Sequence, residues 1–419
     1  MNNKNQLPQQ WSFGLRLLSP AFVGGARPNH EAQLRLASLR GALRNWYRIL
    51  VGADAAAGMV PGWPQKLLES ELFGGAGNKQ GQGRLLLSFA QAPARCTGGV
   101  NTIKAAALKS RTGLNYLGYS LSLGNNKRVA VDPDRAGEIT IRAMFPRGID
   151  PDQERLLLAT WWLWTHFGGL GSRSQRGFGA FAVTHWPDGG HWPPEQKSRS
   201  LPELPLLPEG ADLEQSVTTL GEGLERIMRW VEELRQQTVP EMPKRPGASA
   251  PSYLLRRNDT RFVVWGGPQK RGWQDWQSAL DAMGEAMMEF RRERGRDGFG
   301  FSTLDALTHG ESLPHAPHRA AFGLPLTYYR KGGRPQTLLP HGIRFTRAER
   351  MPSPLLLRPI GGPEPIFMTL LRLGGELPGR DVATQARNRP GYMPAFEHHT
   401  PLILDTFLQH LPAATGRTL

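Results

Sequence analysis

The sequence contains very little cysteine and no long apolar run. Cys96 is the only cysteine among 419 residues, which excludes an internal disulfide framework and a cysteine-rich zinc site. The uninterrupted apolar stretches are far too short to span a bilayer. Residues 1–10 are polar and lack the apolar stretch of a secretory signal. We therefore expect a cytoplasmic protein without a membrane partner.

Acidic residues are scarce relative to basic ones. The 51 Lys and Arg side chains outnumber the 36 Asp and Glu side chains, so that the formal net charge at pH 7 is +15. A surplus of this size favours a polyanionic partner, because each neutralised phosphate releases counterions. An Arg-rich proteome is the alternative explanation of the charge. The 49 glycines and 35 prolines indicate a globular protein that is rich in loops.

The pattern of apolar residues in the first half predicts an α+β domain. Its elements follow the order strand, helix, strand, strand, helix, strand, which is typical of a ferredoxin-like (RRM-like) domain. We expect Ser38 to cap the first helix, Gly52 to end it, and Asp150 to cap the second helix. The predicted elements are strand 11–18, a helix through Leu36–Leu50, strands 84–89 and 138–145, helix 151–167 and strand 178–184.

The second half predicts a related α+β domain, so the fold class is two ferredoxin-like domains with long insertions. Its elements are strand 261–265, a helix through Trp276–Phe290, and strands 354–359 and 366–373. The first domain is assigned residues 1–187, the second residues 252–419. Residues 188–251 are assigned to Pro-rich linkers and an inserted helix at 213–237. The 91–136 segment is too long for an ordinary connection, which indicates a functional insertion or partial disorder.

The most informative stretch is 167–181, FGGLGSRSQRGFGAF. Its glycines allow the backbone to approach a ligand closely and to expose N–H groups. Arg173 and Arg176 add two cations, and no acid interrupts the run, so the loop suits a phosphate backbone. It is not a dinucleotide fingerprint, because it follows a helix and precedes a strand. A flexible helix-to-strand connection is the structural alternative. The candidate RNA-binding residues here are Gly169, Gly171, Arg173, Arg176, Gly177, Phe178 and Gly179.

The first helix carries a second group of candidate RNA-binding residues. Arg40, Arg44 and Arg48 recur at i, i+4 and i+8, which places them on one stripe beside the apolar face. We expect no Glu or Asp to pair with this stripe. The stripe is interpreted either as a phosphate contact or as an ordinary solvated face.

Aromatic and histidine side chains also lie close to the loop in sequence. Phe178 and Phe181 flank the glycines and are candidates for base stacking, whereas the tryptophans at 161, 162 and 164 are expected in the core. His166 and His185 flank the loop and would supply acid–base groups to a nuclease. His315 and His318 lie in a Pro-rich loop rather than on a regular element, and no catalytic residue, metal site or cofactor is predicted.

Several segments resemble a known family. SPAFVGGARPN at 19–29, LRLASLRGALRNWYRIL at 34–50, ESELFGG at 69–75 and GGLGSRSQRGFGAF at 168–181 are similar to the RAMP superfamily of CRISPR proteins. Within it they resemble the first-subunit family of Cmr, the type III-B RNA-guided effector complex. In the second half, HRAAFGLPL at 318–326 and RMPSPLLLRPI at 350–360 extend the resemblance.

The resemblance implies two ferredoxin-like RAMP domains and partners that include guide RNA (crRNA), target RNA and other RAMP subunits. It also implies binding near one end of the complex and no nuclease activity. Arg40, Arg44 and the glycine-rich loop would then contact RNA. The 213–237 helix matches nothing in the family and is interpreted as an insertion that meets a neighbouring subunit. The alternatives are a RAMP-type endoribonuclease that processes precursor guide RNA, and a purely architectural protein.

Overall fold

The computed structural model describes most of the chain. The described residues are 8–75, 81–97, 99–121, 128–187, 201–238, 254–293, 321–323, 326–328, 336–341, 353–374, 383–386 and 400–419. His315 and His318 lie outside the described residues, as do most of the HRAAFGLPL segment and the linker parts 188–200 and 239–253.

The first half is built on a four-stranded antiparallel sheet. The strands are β1 (Gln9–Leu17), β2 (Leu86–Gln91), β3 (Thr102–Lys104), β4 (Val129–Val131), β5 (Glu138–Phe145) and β6 (Phe181–His185). The helices are α1 (Leu36–Val51), α2 (Ala53–Ala56), α3 (Glu69–Phe73), α4 (Thr112–Gly118) and α5 (Pro151–Phe167). The sheet has the order β2-β5-β1-β6, and β3 pairs with β4 in a separate ribbon.

The core of this half lies between the sheet and α5. The Phe13 ring on β1 stacks on the Trp161 ring at 4.0 Å between centroids and 8° between planes. Trp162 and Trp164 are also buried, so the prediction that the three tryptophans belong to the core is confirmed. They are buried because α5 is apolar on nearly all sides and is covered by the sheet, by α1 and by a later helix.

Two of the three predicted helix boundaries are confirmed. Asp150 accepts hydrogen bonds from the backbone nitrogens of Asp152 (3.0 Å) and Gln153 (3.1 Å), which caps α5. Gly52 ends α1 at φ +97°. The Ser38 cap is wrong. The helix begins earlier, because the backbone nitrogens of Ser38 and Leu39 both donate to the Arg35 carbonyl.

The second half repeats the order of the first. Its strands are β7 (Arg261–Trp265), β8 (Leu326–Tyr328), β9 (Gln336–His341), β10 (Leu355–Gly361), β11 (Ile366–Arg372), β12 (Ala383–Ala386) and β13 (Thr415–Thr418), and its helices are α7 (Trp276–Glu293) and α8 (Thr400–His410). Its main sheet runs β10-β11-β7-β13, and β12-β9-β8 form a smaller sheet. In each four-stranded sheet the four strands, numbered in chain order, lie side by side as second, third, first, fourth.

The helix between the halves, α6 (Leu213–Thr238), packs within the chain. It contacts α5 in the first half and both β7 and β13 in the second. Gly223 faces the Trp162 ring so closely that a Cβ there would overlap it. The apolar face of the inserted helix is therefore used inside this chain.

Residues 201–208, predicted as linker or surface excursion, instead cover α5. Leu204 is buried, and the Trp162 indole donates a hydrogen bond to the Pro205 carbonyl at 2.7 Å. The leucines of this Pro-rich segment supply the apolar contact. They do not recur at a helical or strand period, so the sequence pattern did not predict that they pack on the core. Across the described residues, no helix is both long and apolar enough to cross a membrane.

Candidate nucleic-acid interface

The glycines of the glycine-rich loop (residues 168–181) are required by the fold. Gly171, Gly177 and Gly179 have φ values of +99°, +89° and +67°, which L side chains rarely adopt. A Cβ at Gly171 would lie 2.7 Å from the Phe22 carbonyl oxygen, and one at Gly169 would lie 2.8 Å from the Phe178 carbonyl oxygen. The glycines thus permit a tight fold of the loop upon itself and upon the segment after β1.

Several backbone N–H groups of the loop are already bonded within the chain. Gly179 donates to the Pro20 carbonyl at 3.0 Å, and Ser172 donates to the Phe22 carbonyl at 3.0 Å. Leu170 donates to the Gly179 carbonyl at 2.9 Å. These three amides are therefore not available to a phosphate.

Arg173 is the loop residue best placed to meet a ligand. It has φ +64°, one of the few non-glycine positions in the left-handed region among the described residues. Its Nε donates to the Ser120 hydroxyl at 2.9 Å, and within the described residues no hydrogen bond involves its two Nη groups. The side chain is partly exposed, and its partial burial lowers the pKa of the guanidinium. The two Nη groups can therefore donate hydrogen bonds to a phosphate.

Arg176 lies three residues away and points into the second half. Its Nη2 donates to the Phe322 carbonyl at 2.9 Å, and Nη1 approaches the Met287 sulfur at 3.8 Å. Burial lowers the pKa of Arg176 to about 10, with a smaller contribution from Arg173, so it is a cation at neutral pH. Arg176 joins the loop to the second half, and the two arginines do not face one ligand.

The prediction that Phe178 stacks on a base is wrong. Its side chain is 0% exposed, and its ring meets the Phe22 ring edge-on at 5.6 Å. It belongs to the apolar cluster that includes α7 of the second half. Phe181 is buried as well, beside the Trp164 ring at 5.4 Å. Both rings are covered by elements distant in sequence, so no base can reach them.

The basic stripe of α1 has an acidic partner from another element. Glu69, on α3, forms ion pairs with Arg44 at 3.2 Å and with Arg48, whose Nη2 lies 2.8 Å from the carboxylate. Arg44 also donates to the Gly74 carbonyl. Arg40 is partly exposed, and its Nε is buried without a hydrogen-bond partner among the described residues. The expectation that no acid pairs with the stripe is wrong, because the partner lies outside the helix.

The long insertion contacts the glycine-rich loop, which was not predicted from the sequence. Arg128 donates from Nη1 to the Ser172 hydroxyl at 2.8 Å, and Ser120 accepts from Arg173. The Val129 nitrogen donates to the Pro28 carbonyl at 3.1 Å, which ties in the turn after β1. A sequence signal existed, since no acidic residue occurs between Glu71 and Asp132. The structure thus brings Arg128 and Arg173 to one surface.

The histidine expected for nuclease chemistry is unsuited to it. His166 is 4% exposed, its ring stacks on Trp162 at 4.3 Å, and its Nδ1 lies 2.8 Å from the Trp162 carbonyl. Burial, opposed by that hydrogen bond and reinforced by Arg358, lowers the pKa of His166 to about 3. It is neutral and enclosed at physiological pH.

His185 is exposed at the end of β6. The described part of the chain has no group of three His, Cys, Asp or Glu residues arranged for a metal ion.

A cavity of about 300 Å³ lies between the two halves, beside His166. Arg16 and Glu209, 3.8 Å apart, lie at its wall, and Arg358 of β10 lines it from the second half. Arg358 is committed to main-chain carbonyls of the first half, at Trp164, Gly168 and Phe181. This arrangement joins the halves and does not converge on a reacting group.

Comparisons with known proteins were made for the sequence and the structure. Residues 15–182 match the family model of the RAMP superfamily, and no curated protein matches the sequence. Cmr1 from Pyrococcus furiosus, as a crystal structure of the apo form, is 17% identical with a TM-score of 0.52, over 97% of this chain and 98% of that one.

A chain of the type III-B Cmr-beta complex bound to cognate target RNA and AMPPnP is 12% identical, over 96% of this chain and 99% of that one, with a TM-score of 0.49. The RAMP match includes α1, the insertion and the whole glycine-rich loop. Residues 15–182 are therefore similar to the RAMP superfamily, and the chain resembles Cmr1 in its fold.

Proposed function

We propose that the chain is a non-catalytic RNA-binding subunit of a type III-B CRISPR (Cmr) interference complex in the cytoplasm. It contacts guide RNA and target RNA near one end of the assembly, beside other RAMP subunits. The observation that carries this proposal is Arg173, which stands in the glycine-rich loop of a RAMP domain with the free edge of its guanidinium available to a phosphate.

The domain organisation we propose is two ferredoxin-like RAMP domains, residues 1–187 and 252–419. The shared order β2-β5-β1-β6 and β10-β11-β7-β13 supports it, because each sheet is built from a strand, helix, strand, strand, helix, strand unit. Residues 188–251 carry α6, which packs against both domains.

The RNA surface we propose is built from side chains that the structure brings together. Arg173 and Arg128 are held through hydroxyls of Ser120 and Ser172, so both guanidiniums are positioned before a ligand arrives. A guanidinium that is already oriented loses less conformational freedom when it binds a phosphate. Gly169, Gly171, Gly177 and Gly179 shape the loop, and Arg40 is a further proposed contact. Arg44, Arg48, Arg176 and Phe178 serve the fold.

The non-catalytic reading is supported by the state of the histidines. A general acid or base works best with a pKa near the working pH and must reach the reacting atom. His166 meets neither condition, since its pKa is about 3 and its ring is enclosed. Of the two histidines that flank the loop, His185 is the exposed one, so it is the histidine to test for the endoribonuclease alternative.

The binding proposal is tested with labelled single-stranded RNA and fluorescence anisotropy. Affinity should fall with salt, with log K dropping by about 0.7 per contacted phosphate for each decade of salt concentration. Arg173→Ala and Arg128→Ala should each weaken binding by about 1–3 kcal/mol, the range for hydrogen bonds to charged groups. Arg229→Ala, an exposed arginine on α6, is the matched control and should bind like the parent.

Two results would contradict the proposal. One is an affinity that does not depend on salt, and the other is a double variant, Arg173→Ala with Arg128→Ala, that binds RNA as tightly as the parent. The catalytic alternative is tested separately with labelled RNA, with and without Mg²⁺ or Mn²⁺. Specific cleavage by the parent that His185→Ala abolishes would establish the endoribonuclease.

A further inference from the structure

The long insertion has an unusual charge pattern that the fold places beside the glycine-rich loop. Eight Lys and Arg residues and no Asp or Glu lie between Glu71 and Asp132. We call residues 99–121 and 128–131 of this segment the insert. Lys104 and Lys109 are exposed on it, and Arg128 lies at its contact with the loop. A surface of this composition attracts a polyanion along its whole length.

The insert is held firmly by the second half. Asp281 of α7 accepts hydrogen bonds from the backbone nitrogens of Gly113 (2.8 Å) and Leu114 (3.0 Å), which satisfies the first N–H groups of α4. Gly113 and Gly284 lie so close that a Cβ on either would overlap the other helix. The insert's leucines at 108, 114, 117 and 121 are buried. Its exposed residues therefore stand on a fixed support.

Tyr119 is the exposed ring on that support. Among the described residues, the large apolar side chains that are exposed are Met59, Val100, Tyr119 and Leu402, and Tyr119 is the one aromatic among them, at 44%. It directly precedes Ser120, whose hydroxyl receives the Arg173 hydrogen bond. An exposed aromatic ring thus directly precedes the residue that bonds the cation we assign to the RNA backbone.

From this juxtaposition we propose that Tyr119 stacks on an unpaired base of the RNA strand whose phosphates Arg173 and Arg128 contact. The inference rests on the proposed RNA-binding function, and it specifies an unpaired base as the part of the RNA that Tyr119 contacts. A basic groove with an aromatic ring beside it is a general arrangement for single-stranded nucleic acid, because every base offers a face to stack on. Paired bases inside an A-form duplex do not offer that face, so the site selects single-stranded RNA.

The surroundings of Tyr119 favour RNA over a protein partner. An apolar protein contact would place further large apolar side chains around the ring, whereas the exposed residues described closest to Tyr119 in sequence, Thr112 and Ser120, are polar. The ring and the cations form one surface through the Ser120 hydroxyl.

The experiment compares Tyr119→Ala, Tyr119→Phe and the parent in binding to a labelled single-stranded RNA and to an abasic strand of the same length. Tyr119→Ala should weaken binding to the base-containing strand by roughly 5- to 150-fold, the range for one stacked base. Tyr119→Phe should bind like the parent, because it keeps the ring. The abasic strand should bind all three proteins equally, and the salt slope should be unchanged, because no phosphate contact is lost.

The outcomes separate this inference from the proposed function. If the parent binds RNA with the expected salt dependence but Tyr119→Ala binds both strands like the parent, the stacking role is overturned while the RNA-binding function stands. If the parent does not bind RNA, the proposed function fails and the stacking role fails with it. Loss of a copurifying RAMP subunit from Tyr119→Ala, with RNA binding intact, would identify a protein contact and likewise overturn the inference. An unchanged melting temperature confirms that the variants are folded.

Discussion

The guanidinium of Arg358, on β10 of the second half, donates to the Trp164 carbonyl in the last turn of α5 at 2.9 Å. It also donates to the carbonyls of Gly168 and Phe181, so one side chain satisfies three main-chain oxygens of the first half. Arg358 is 1% exposed, and burial lowers its pKa to about 9, which leaves it charged at neutral pH. A cation at the carboxyl end of a helix is favoured by the helix dipole. Arg358 therefore couples the two halves.

Arg358→Met should destabilise the protein by about 2–4 kcal/mol. The variant removes a costly buried charge, yet it takes this donor from the Gly168 and Phe181 carbonyls, and each unsatisfied buried group costs about 1–3 kcal/mol. The Trp164 carbonyl keeps the backbone N–H of Gly168, at 2.9 Å. The measurement is urea denaturation followed by two probes, tryptophan fluorescence and circular dichroism. Arg229→Met, at an exposed position of α6, is the control and should change stability by no more than about 0.5 kcal/mol. Equal stability of Arg358→Met and the parent would show that the contact does not hold the halves together.

Arg173→Gly should separate RNA affinity from stability. Arg173 has φ +64°, a conformation that costs a non-glycine residue about 1 kcal/mol or more, and glycine removes that cost. We expect RNA binding to weaken by about 1–3 kcal/mol while the free energy of unfolding stays equal or rises slightly. Anisotropy and urea denaturation of the same preparation measure both quantities.

Arg176→Ala provides the matched comparison for Arg173→Gly. Its loss leaves the Phe322 carbonyl without a donor at the contact with the second half, so stability should fall by about 1–2 kcal/mol. The RNA affinity of the folded variant should remain close to that of the parent. The reverse result, weaker RNA binding at unchanged stability, would show that Arg176 contacts RNA.

Phe178→Leu should act on stability alone. The ring fills a closed apolar cluster, and its replacement leaves a gap with Phe22, at a cost of about 1–2 kcal/mol. RNA affinity, measured under conditions where the variant is fully folded, should match that of the parent. A selective loss of affinity for base-containing RNA would mean that the ring becomes accessible when RNA binds.

His166 should make the protein less stable in mild acid. Its pKa is about 3 in the folded state and about 6.5 when unfolded, so between these values the unfolded state binds a proton that the folded state does not. Stability from this group is complete above pH 6.5 and is lost as the pH falls, by about 2 kcal/mol at pH 5. His166→Gln, which cannot titrate, should lose correspondingly less stability between pH 7 and pH 5 in urea denaturation.

His185→Gln is the control for the acid measurement, because its side chain is exposed at the end of β6. It should show the same pH dependence as the parent. If His166→Gln and the parent lose stability equally between pH 7 and pH 5, then acid destabilisation arises from other groups.

Much of the fold follows from local sequence. Helix α5 spans Pro151–Phe167 as predicted, because Asp150 and Pro151 suit the first turn and glycines end the last one. Strands β5 and β7 also have their predicted bounds. The strand after the glycine-rich loop begins at Phe181 rather than residue 178, because the Ala180 nitrogen donates to the Ser19 hydroxyl outside the ladder.

By itself, the sequence determined the long helices and most strands of the two four-stranded sheets, together with the basic charge and the glycine-rich loop, since these depend on short-range periodicity, capping and composition. The short elements β3, β4, α2, α3 and α4 were not among those predicted. Only the tertiary structure decided which loop side chains face outward. Arg173 and Arg176 are three residues apart, yet one reaches Ser120 on the insert and the other reaches Phe322 in the second half. Backbone dihedrals at the intervening loop residues and contacts from distant elements set those directions, and neither is encoded in local spacing. For the same reason Glu69 neutralises part of the α1 stripe, Phe178 is buried, and the Tyr119 ring is exposed.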